Sequence, residues 1–141
     1  MKGSVSNGLT VESRQWTVLR VLVVDNDRDA IETMSIVLSL TGYAVEIAFG
    51  GREALEAAEK MRPDVILMDL KMPEMDGWEV AQRIRCMNVQ PPPVLVAITG
   101  SGLEEDRKRS EEAGFDYHLL KPVHPLEIER ILRTLVRFRQ S

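Results

Sequence analysis

The sequence predicts an α/β fold in which a parallel sheet is covered by helices on both of its faces. Five short apolar runs alternate along the chain with amphipathic segments of helical period. Most of these runs are apolar throughout rather than alternating, and this pattern is typical of strands that are buried on both faces. The length of 141 residues suits one compact domain.

The order of the predicted strands and helices limits the possible sheet topologies. The predicted strands cover residues 21–24, 44–48, 65–68, 94–98 and 117–120. The predicted helices cover residues 28–40, 52–61, 78–87 and 103–113, with a fifth that begins at Pro125. Five successive strand–helix units require right-handed crossovers between parallel strands. Five strands favour a flavodoxin-like doubly wound sheet of order 2-1-3-4-5.

Composition distinguishes a predicted tail or linker from a predicted domain, and it argues against nucleic-acid-binding and membrane-spanning proteins. Residues 1–18 are poor in apolar periodicity and predict a tail or linker, whereas residues 19–141 form the predicted domain. The formal net charge of −4 argues against direct binding of nucleic acid, which needs a basic surface. No run reaches the roughly 18 apolar residues of a membrane helix. Cys86 has no second cysteine to pair with, so we expect a reducing cytoplasm.

Charged and polar residues follow four of the predicted strands. Asp25 follows the first strand, Asp69 the third, Thr99 the fourth and Lys121 the fifth. Ligands of such sheets bind at the carboxyl ends of the strands, where the strand order reverses. Two carboxylates there would repel each other unless a hard cation such as Mg²⁺ lay between them. An ammonium and a hydroxyl are the donors that a phosphoryl group needs.

Each of these residues also has a simpler interpretation when it is taken alone. An aspartate after a strand is commonly a helix cap or a turn residue, and a single lysine is commonly surface. Together, in this strand order, they favour phosphoryl chemistry. A flavodoxin-like cofactor binder or a phosphohydrolase is disfavoured, because no phosphate-cradling glycine-rich loop follows the first strand.

Two motifs resemble those of a known family, the receiver domains of two-component response regulators. Residues 64–77, DVILMDLKMPEMDG, are similar to its phosphoacceptor motif, and residues 120–122, LKP, to its lysine–proline motif. The resemblance covers residues 19–138. It implies that Asp69 is the phosphoacceptor, that Thr99 and Lys121 contact the phosphoryl group, and that the bond before Pro122 is cis.

The resemblance also implies a magnesium site and a partner. The metal ligands would be Asp25, Asn26, Asp69 and the backbone carbonyl of Lys71. The phosphoryl donor would be a sensor histidine kinase or a phosphotransfer protein. Such a domain is not an enzyme in the usual sense, because it catalyses only its own phosphorylation and dephosphorylation.

The sequence departs from the family pattern at two positions. Asn26 stands where a second acid is usual, so one formal charge is missing from the metal site. Asp27 is displaced by one residue and either replaces it at the metal or, as the favoured alternative, caps the first helix. His118 occupies the position of the family's aromatic switch residue. It either turns inward toward Thr99 or lies at the surface.

Two pairs of alternatives concern the mode of action and the full-length protein. The loss of charge at Asn26 leaves a rival hypothesis, a receiver-like interaction module that works without phosphorylation. The linker-like residues 1–18 favour a longer protein with a kinase or effector domain in the same chain, and a stand-alone regulator is the alternative.

Overall fold

The computed structural model describes residues 18–140. All but the last residue of the predicted tail or linker, residues 1–18, therefore lie outside the described residues. The strands are β1 (Arg20–Val24), β2 (Ala44–Ala48), β3 (Val65–Asp69), β4 (Val94–Thr99) and β5 (Tyr117–Leu120). The helices are α1 (Arg28–Leu40), α2 (Gly51–Met61), α3 (Gly77–Met87), α4 (Glu104–Ala113) and α5 (Pro125–Gln140).

The five strands form one parallel sheet in the order β2-β1-β3-β4-β5. This confirms the predicted doubly wound fold and its strand order. β1 and β3 are neighbours although β2 lies between them in sequence, so the order reverses at this point. A crevice at the carboxyl ends of β1 and β3 is the expected ligand position in such a sheet.

Alternate residues of the central strands supply two apolar cores, one on each face of the sheet. Side chains such as Leu22 and Ile66 pack with α2, α3 and α4. Their sequence neighbours Val21 and Val65 pack with Ile31 of α1 and with α5 on the other face. This division follows from the period of two along a strand. It makes the central strands rigid supports for the residues at their ends.

The outer strands are less buried than the sequence suggested. β3 is buried at every residue, but β2 buries only Ala48, and β5 is exposed at both of its ends. Both lie at an edge of the sheet, where one side has no neighbouring strand. An apolar run alone does not distinguish a central strand from an edge strand.

Several element boundaries differ from the prediction by one residue, and one difference shapes the site. α3 begins at Gly77 rather than at residue 78. A Cβ atom on Gly77 would lie 2.8 Å from the backbone oxygen of Asp69 and 2.9 Å from Cα of Leu70. The Gly77 N–H donates a hydrogen bond to the Leu70 carbonyl at 2.9 Å. Glycine therefore lets α3 begin against the end of β3.

Within residues 18–140, no helix is both long enough and apolar enough to cross a membrane.

Candidate functional site

The predicted site residues meet at the carboxyl ends of the strands. Asp69 is the last residue of β3 and Thr99 the last of β4, while Asp25 and Lys121 directly follow β1 and β5. Asp25, Asp69 and Lys121 line a common crevice, and apolar residues of α1 and the β5–α5 loop form its wall. Thr99 is buried beneath the surface at the end of its strand.

Asp69 is a buried carboxylate that contacts an ammonium and a backbone N–H group. Its Oδ2 lies 3.4 Å from the Nζ atom of Lys121, and its Oδ1 accepts a hydrogen bond from the Lys71 N–H at 3.3 Å. A buried carboxylate is costly unless it is paired and hydrogen-bonded. The ammonium and the backbone donor together compensate for the burial of this side chain in the crevice.

Asp25 is half-buried, and its environment opposes its negative charge. Loss of solvent raises the pKa of this carboxyl above its usual value, and the nearby Asp69 raises it further. The Asp27 N–H donates to Oδ1 of Asp25 at 2.9 Å and, together with the Lys121 charge, lowers the pKa in partial compensation. Asp69 is thus close enough to disfavour ionisation of the Asp25 carboxyl, and a cation bound between the two side chains would relieve this repulsion.

The donors available for a metal are two carboxylates and neutral oxygens. Within residues 18–140 there is no cluster of three or more His, Cys, Asp or Glu side chains arranged to hold a metal. Asn26, exposed beside Asp25, and the carbonyl of Lys71 are the neutral oxygen donors near Asp25 and Asp69 in the sequence. An all-oxygen set with two charges still fits Mg²⁺, which binds few protein ligands and retains several waters.

Asp27 caps α1. Its carboxylate accepts hydrogen bonds from the backbone N–H groups of Asp29 at 3.1 Å and Ala30 at 3.4 Å. These groups have no partner within the helix, so an N-cap aspartate stabilises its first turn. The favoured alternative for Asp27 is confirmed.

Thr99 and Lys121 are connected through the backbones of β4 and β5. The Lys121 N–H donates to the Thr99 carbonyl at 2.7 Å. The Thr99 hydroxyl oxygen accepts a hydrogen bond from the Ser101 N–H at 3.1 Å. The bond between Lys121 and Pro122 is cis, as the resemblance implied.

His118 points into the protein rather than capping β5 at the surface. Its Nδ1 atom lies 3.2 Å from Oγ of Ser110, and its Nε2 atom lies 3.4 Å from the carbonyl oxygen of Ser101. Trp78 Nε1 also donates to Ser110 Oγ, at 3.0 Å. The contacts of the half-buried imidazole are thus with α4 and the β4–α4 loop, and a turn toward Thr99 as a switch residue stays a prediction.

Ser110 and Trp78 are not among the site residues that the sequence patterns predict. One signal was available in α4, whose sequence is EEDRKRSEEA. Ser110 and Ala113 are its only small residues, and their spacing of three places them on one helix face. Both are buried. A lone serine on the buried face of an otherwise charged helix indicates a hydroxyl with an internal partner.

Sequence comparison identifies relatives of this chain. The chain is 37% identical over 119 residues to the response regulator MprA of Mycolicibacterium vanbaalenii, which covers 84% of this chain and 51% of that protein. It is 38% identical over 122 residues to the transcriptional regulatory protein PrrA of Mycobacterium tuberculosis, with coverage of 86% and 52%. The chain thus spans about half the length of these two relatives.

Solved structures and a family model agree with the relatives. The chemotaxis response regulator CheY4 of Vibrio cholerae superposes with a TM-score of 0.78 at 32% identity, over 84% of this chain and 99% of that one. A receiver domain protein of Methanospirillum hungatei superposes with a TM-score of 0.77 at 30% identity, with coverage of 88% and 97%. The model of the response regulator receiver domain matches residues 21–133. The chain therefore belongs to the response regulator receiver domain family.

Proposed function

We propose that this domain accepts a phosphoryl group on Asp69 in a Mg²⁺-dependent reaction and signals by a change in its surface. The observation that carries the proposal is the position of Asp69, buried at the end of β3 with the Lys121 ammonium 3.4 Å from its carboxylate and Asp25 beside it. This position supports the proposal because a carboxylate, an ammonium and a second acid lie in one crevice. The domain is proposed to comprise residues 19–141, and residues 1–18 to be a tail or linker.

The phosphoryl donor is a phosphohistidine of a sensor histidine kinase or a phosphotransfer protein. An oxygen of Asp69 attacks phosphorus, an O–P bond forms, and the P–N bond to the partner's imidazole breaks in line with it. The leaving imidazole takes its proton from water. The product is an acyl phosphate on Asp69. Lys121 stabilises the negative charge on the transferred group.

Mg²⁺, when bound, supplies further positive charge at the phosphoryl oxygens. In this proposal Asp25, Asn26, Asp69 and the Lys71 carbonyl are its protein ligands. Their chemistry is that of hard oxygen donors.

The signal passes from the phosphoryl group to Thr99 and His118. The Thr99 hydroxyl oxygen accepts from Ser101, so its own O–H is available to donate to a phosphoryl oxygen. Movement of Thr99 toward that oxygen alters the space and contacts around His118, and with them the surface of α4, β5 and α5. This is a two-state switch that new charge biases.

The partners and location of the protein belong to the same proposal. The donor is a cytoplasmic kinase or phosphotransfer domain, so we place this domain in the cytoplasm, where the unpaired Cys86 stays reduced. MprA and PrrA are about twice as long as the matched region. We propose by analogy that a kinase or effector domain in the same full-length chain receives the signal.

The test is phosphorylation of the isolated chain by a small phosphodonor, such as acetyl phosphate, with Mg²⁺. Intact mass spectrometry should show the addition of one phosphoryl group, and Asp69→Ala should abolish it. Asp29→Ala, which removes an exposed aspartate at the start of α1, is the matched control and should keep the adduct. An adduct that persists in Asp69→Ala, or wild-type protein that stays unmodified, would contradict the proposal; the latter result would favour a phosphorylation-independent interaction module.

A further inference from the structure

A chain of hydrogen bonds connects α3, α4 and β5 through three side chains. Trp78 Nε1 is 3.0 Å from Ser110 Oγ, Ser110 Oγ is 3.2 Å from His118 Nδ1, and His118 Nε2 is 3.4 Å from the Ser101 carbonyl oxygen. Ser110 is the central member of this hydrogen-bond chain and is fully buried. A buried hydroxyl needs internal partners, and here both partners are side chains from other elements.

The two ends of the chain determine its direction. The indole N–H of Trp78 is a donor only, and the carbonyl of Ser101 is an acceptor only. Ser110 therefore accepts from Trp78 and donates its own hydrogen to Nδ1 of His118. Nε2 of His118 then carries the ring hydrogen and donates it to Ser101. Every group in the chain is satisfied when His118 is the neutral Nε2–H tautomer.

Both ends of the chain lie next to the site that contains Asp69. Trp78 directly follows Gly77, which packs against the backbone at Asp69. Ser101, at the other end, donates its N–H to the Thr99 hydroxyl. The three side chains thus connect the segment after the phosphoacceptor strand with the segment after β4.

A cation holds the indole in place from the outside. The guanidinium of Arg109 lies 3.9 Å from the centre of the Trp78 ring and 4.0 Å from a carboxylate oxygen of Asp76, the N-cap of α3. A cation over an aromatic face is attractive. Arg109 is the residue before Ser110, so one turn of α4 both stacks on the indole and accepts its hydrogen bond.

We propose that Ser110 is a positioning residue that holds His118 inward in a single tautomer, and that the chain Trp78–Ser110–His118 couples the start of α3 to β5. This rests on the proposed function in one respect, the role of His118 in the switch. Its consequence is that the face formed by α3 and α4, and not only β5 with its neighbours, responds when Asp69 is phosphorylated.

The first test needs no phosphorylation. Nitrogen-15 NMR of the imidazole rings distinguishes the two neutral tautomers, and the protein has only two histidines, His118 and His124. At a pH where the ring is neutral, His118 should show the Nε2–H tautomer alone. Ser110→Ala should replace this signature by that of a tautomer mixture. Ser39→Ala, an exposed serine of α1, is the matched control and should leave it unchanged.

The second test measures the coupling at the far end of the chain. The indole N–H resonance of Trp78, assigned by its loss in Trp78→Phe, should shift in His118→Ala because Ser110 loses its acceptor. A mixture of tautomers in the wild-type protein would overturn the proposal. So would a Trp78 indole resonance whose chemical shift is the same in His118→Ala as in the wild type. If Ser110→Ala does not fold, Trp78→Phe and His118→Ala still decide it, because they report on the two bonds of Ser110 separately.

The third test joins the chain to the switch. Phosphorylation should shift the Trp78 indole resonance in the wild type, whereas Ser110→Ala should form the same mass adduct on Asp69 and lose the shift. An equal shift in both proteins would overturn the coupling role of Ser110. Failure of any adduct to form would instead count against the proposed function. The tautomer measurement would still test the role of Ser110, because it is made on the unphosphorylated protein.

Discussion

Replacing Lys121 by methionine is expected to have opposite effects on metal binding and on phosphoryl transfer. Methionine keeps a long unbranched side chain but removes the charge that lies 3.4 Å from Asp69 Oδ2. That charge repels a divalent cation in the crevice and attracts a phosphoryl group. Lys121→Met should therefore bind Mg²⁺ more tightly and accept phosphoryl groups more slowly.

The magnitude follows from the distance and the exposure of the pair. Two unit charges 3.4 Å apart interact by about 5 kcal/mol at an effective dielectric of 20 and by about 1.2 kcal/mol in water. The Lys121 side chain is 43% exposed and that of Asp69 is 10% exposed, so solvent screens the ammonium strongly. We therefore take a value near the lower limit, about 1.4 kcal/mol, which corresponds to a factor of about ten.

The assay is a calorimetric titration of MgCl₂ into each protein, with a mass-spectrometric time course of phosphorylation by a small donor. Lys121→Met should show about tenfold tighter Mg²⁺ binding and at least tenfold slower adduct formation at saturating Mg²⁺. Lys60→Met is the control for net charge, because Lys60 is exposed in the last turn of α2, which leads into the amino end of β3, whereas the site lies at the carboxyl ends of the strands. It should change neither quantity appreciably.

One result would refute the reasoning about charge. If Lys121→Met binds Mg²⁺ no more tightly than Lys60→Met, the ammonium does not compete electrostatically with the cation. A slower reaction without tighter binding would then assign Lys121 a purely geometric role.

Three further predictions concern single side chains. Asn26→Asp should tighten Mg²⁺ binding by up to about tenfold, because it restores an anionic ligand; equal affinities in the same titration would show that Asn26 is not a ligand. Thr99→Ala should leave Asp69 phosphorylation largely intact but reduce the phosphorylation-dependent change in partner binding, and an undiminished change would contradict its coupling role. Loss of solvent and the nearby Glu129 raise the pKa of Tyr43 to about 12 from an ordinary value of 10.0. The folded state thus favours the neutral phenol of Tyr43. The contribution of this preference to the free energy of unfolding is fully present below pH 10 and is lost as the pH rises through 12. The difference in phenolate absorbance between wild type and Tyr43→Phe should have its midpoint near 12, and a midpoint near 10 would contradict the assignment.

The sequence by itself was enough to determine the doubly wound sheet and the group of residues at its carboxyl edge. Strand and helix periods are local patterns, and a parallel sheet with right-handed crossovers leaves few arrangements of five strand–helix units. Once Asp25, Asp69, Thr99 and Lys121 are known to end strands, the topology alone brings them to one edge. No detail of side-chain packing is needed for that step.

Only the tertiary structure decided between alternatives that the sequence left open. Whether Asp27 faces a metal or caps α1 depends on the backbone angles at one turn, and those angles depend on how α1 packs against the sheet. The direction of His118 depends on a hydroxyl eight residues earlier in the chain and on an indole from α3. Sequence patterns report the face on which a residue lies, whereas the hydrogen-bond partner of a buried polar group is set by packing between elements that are distant in sequence.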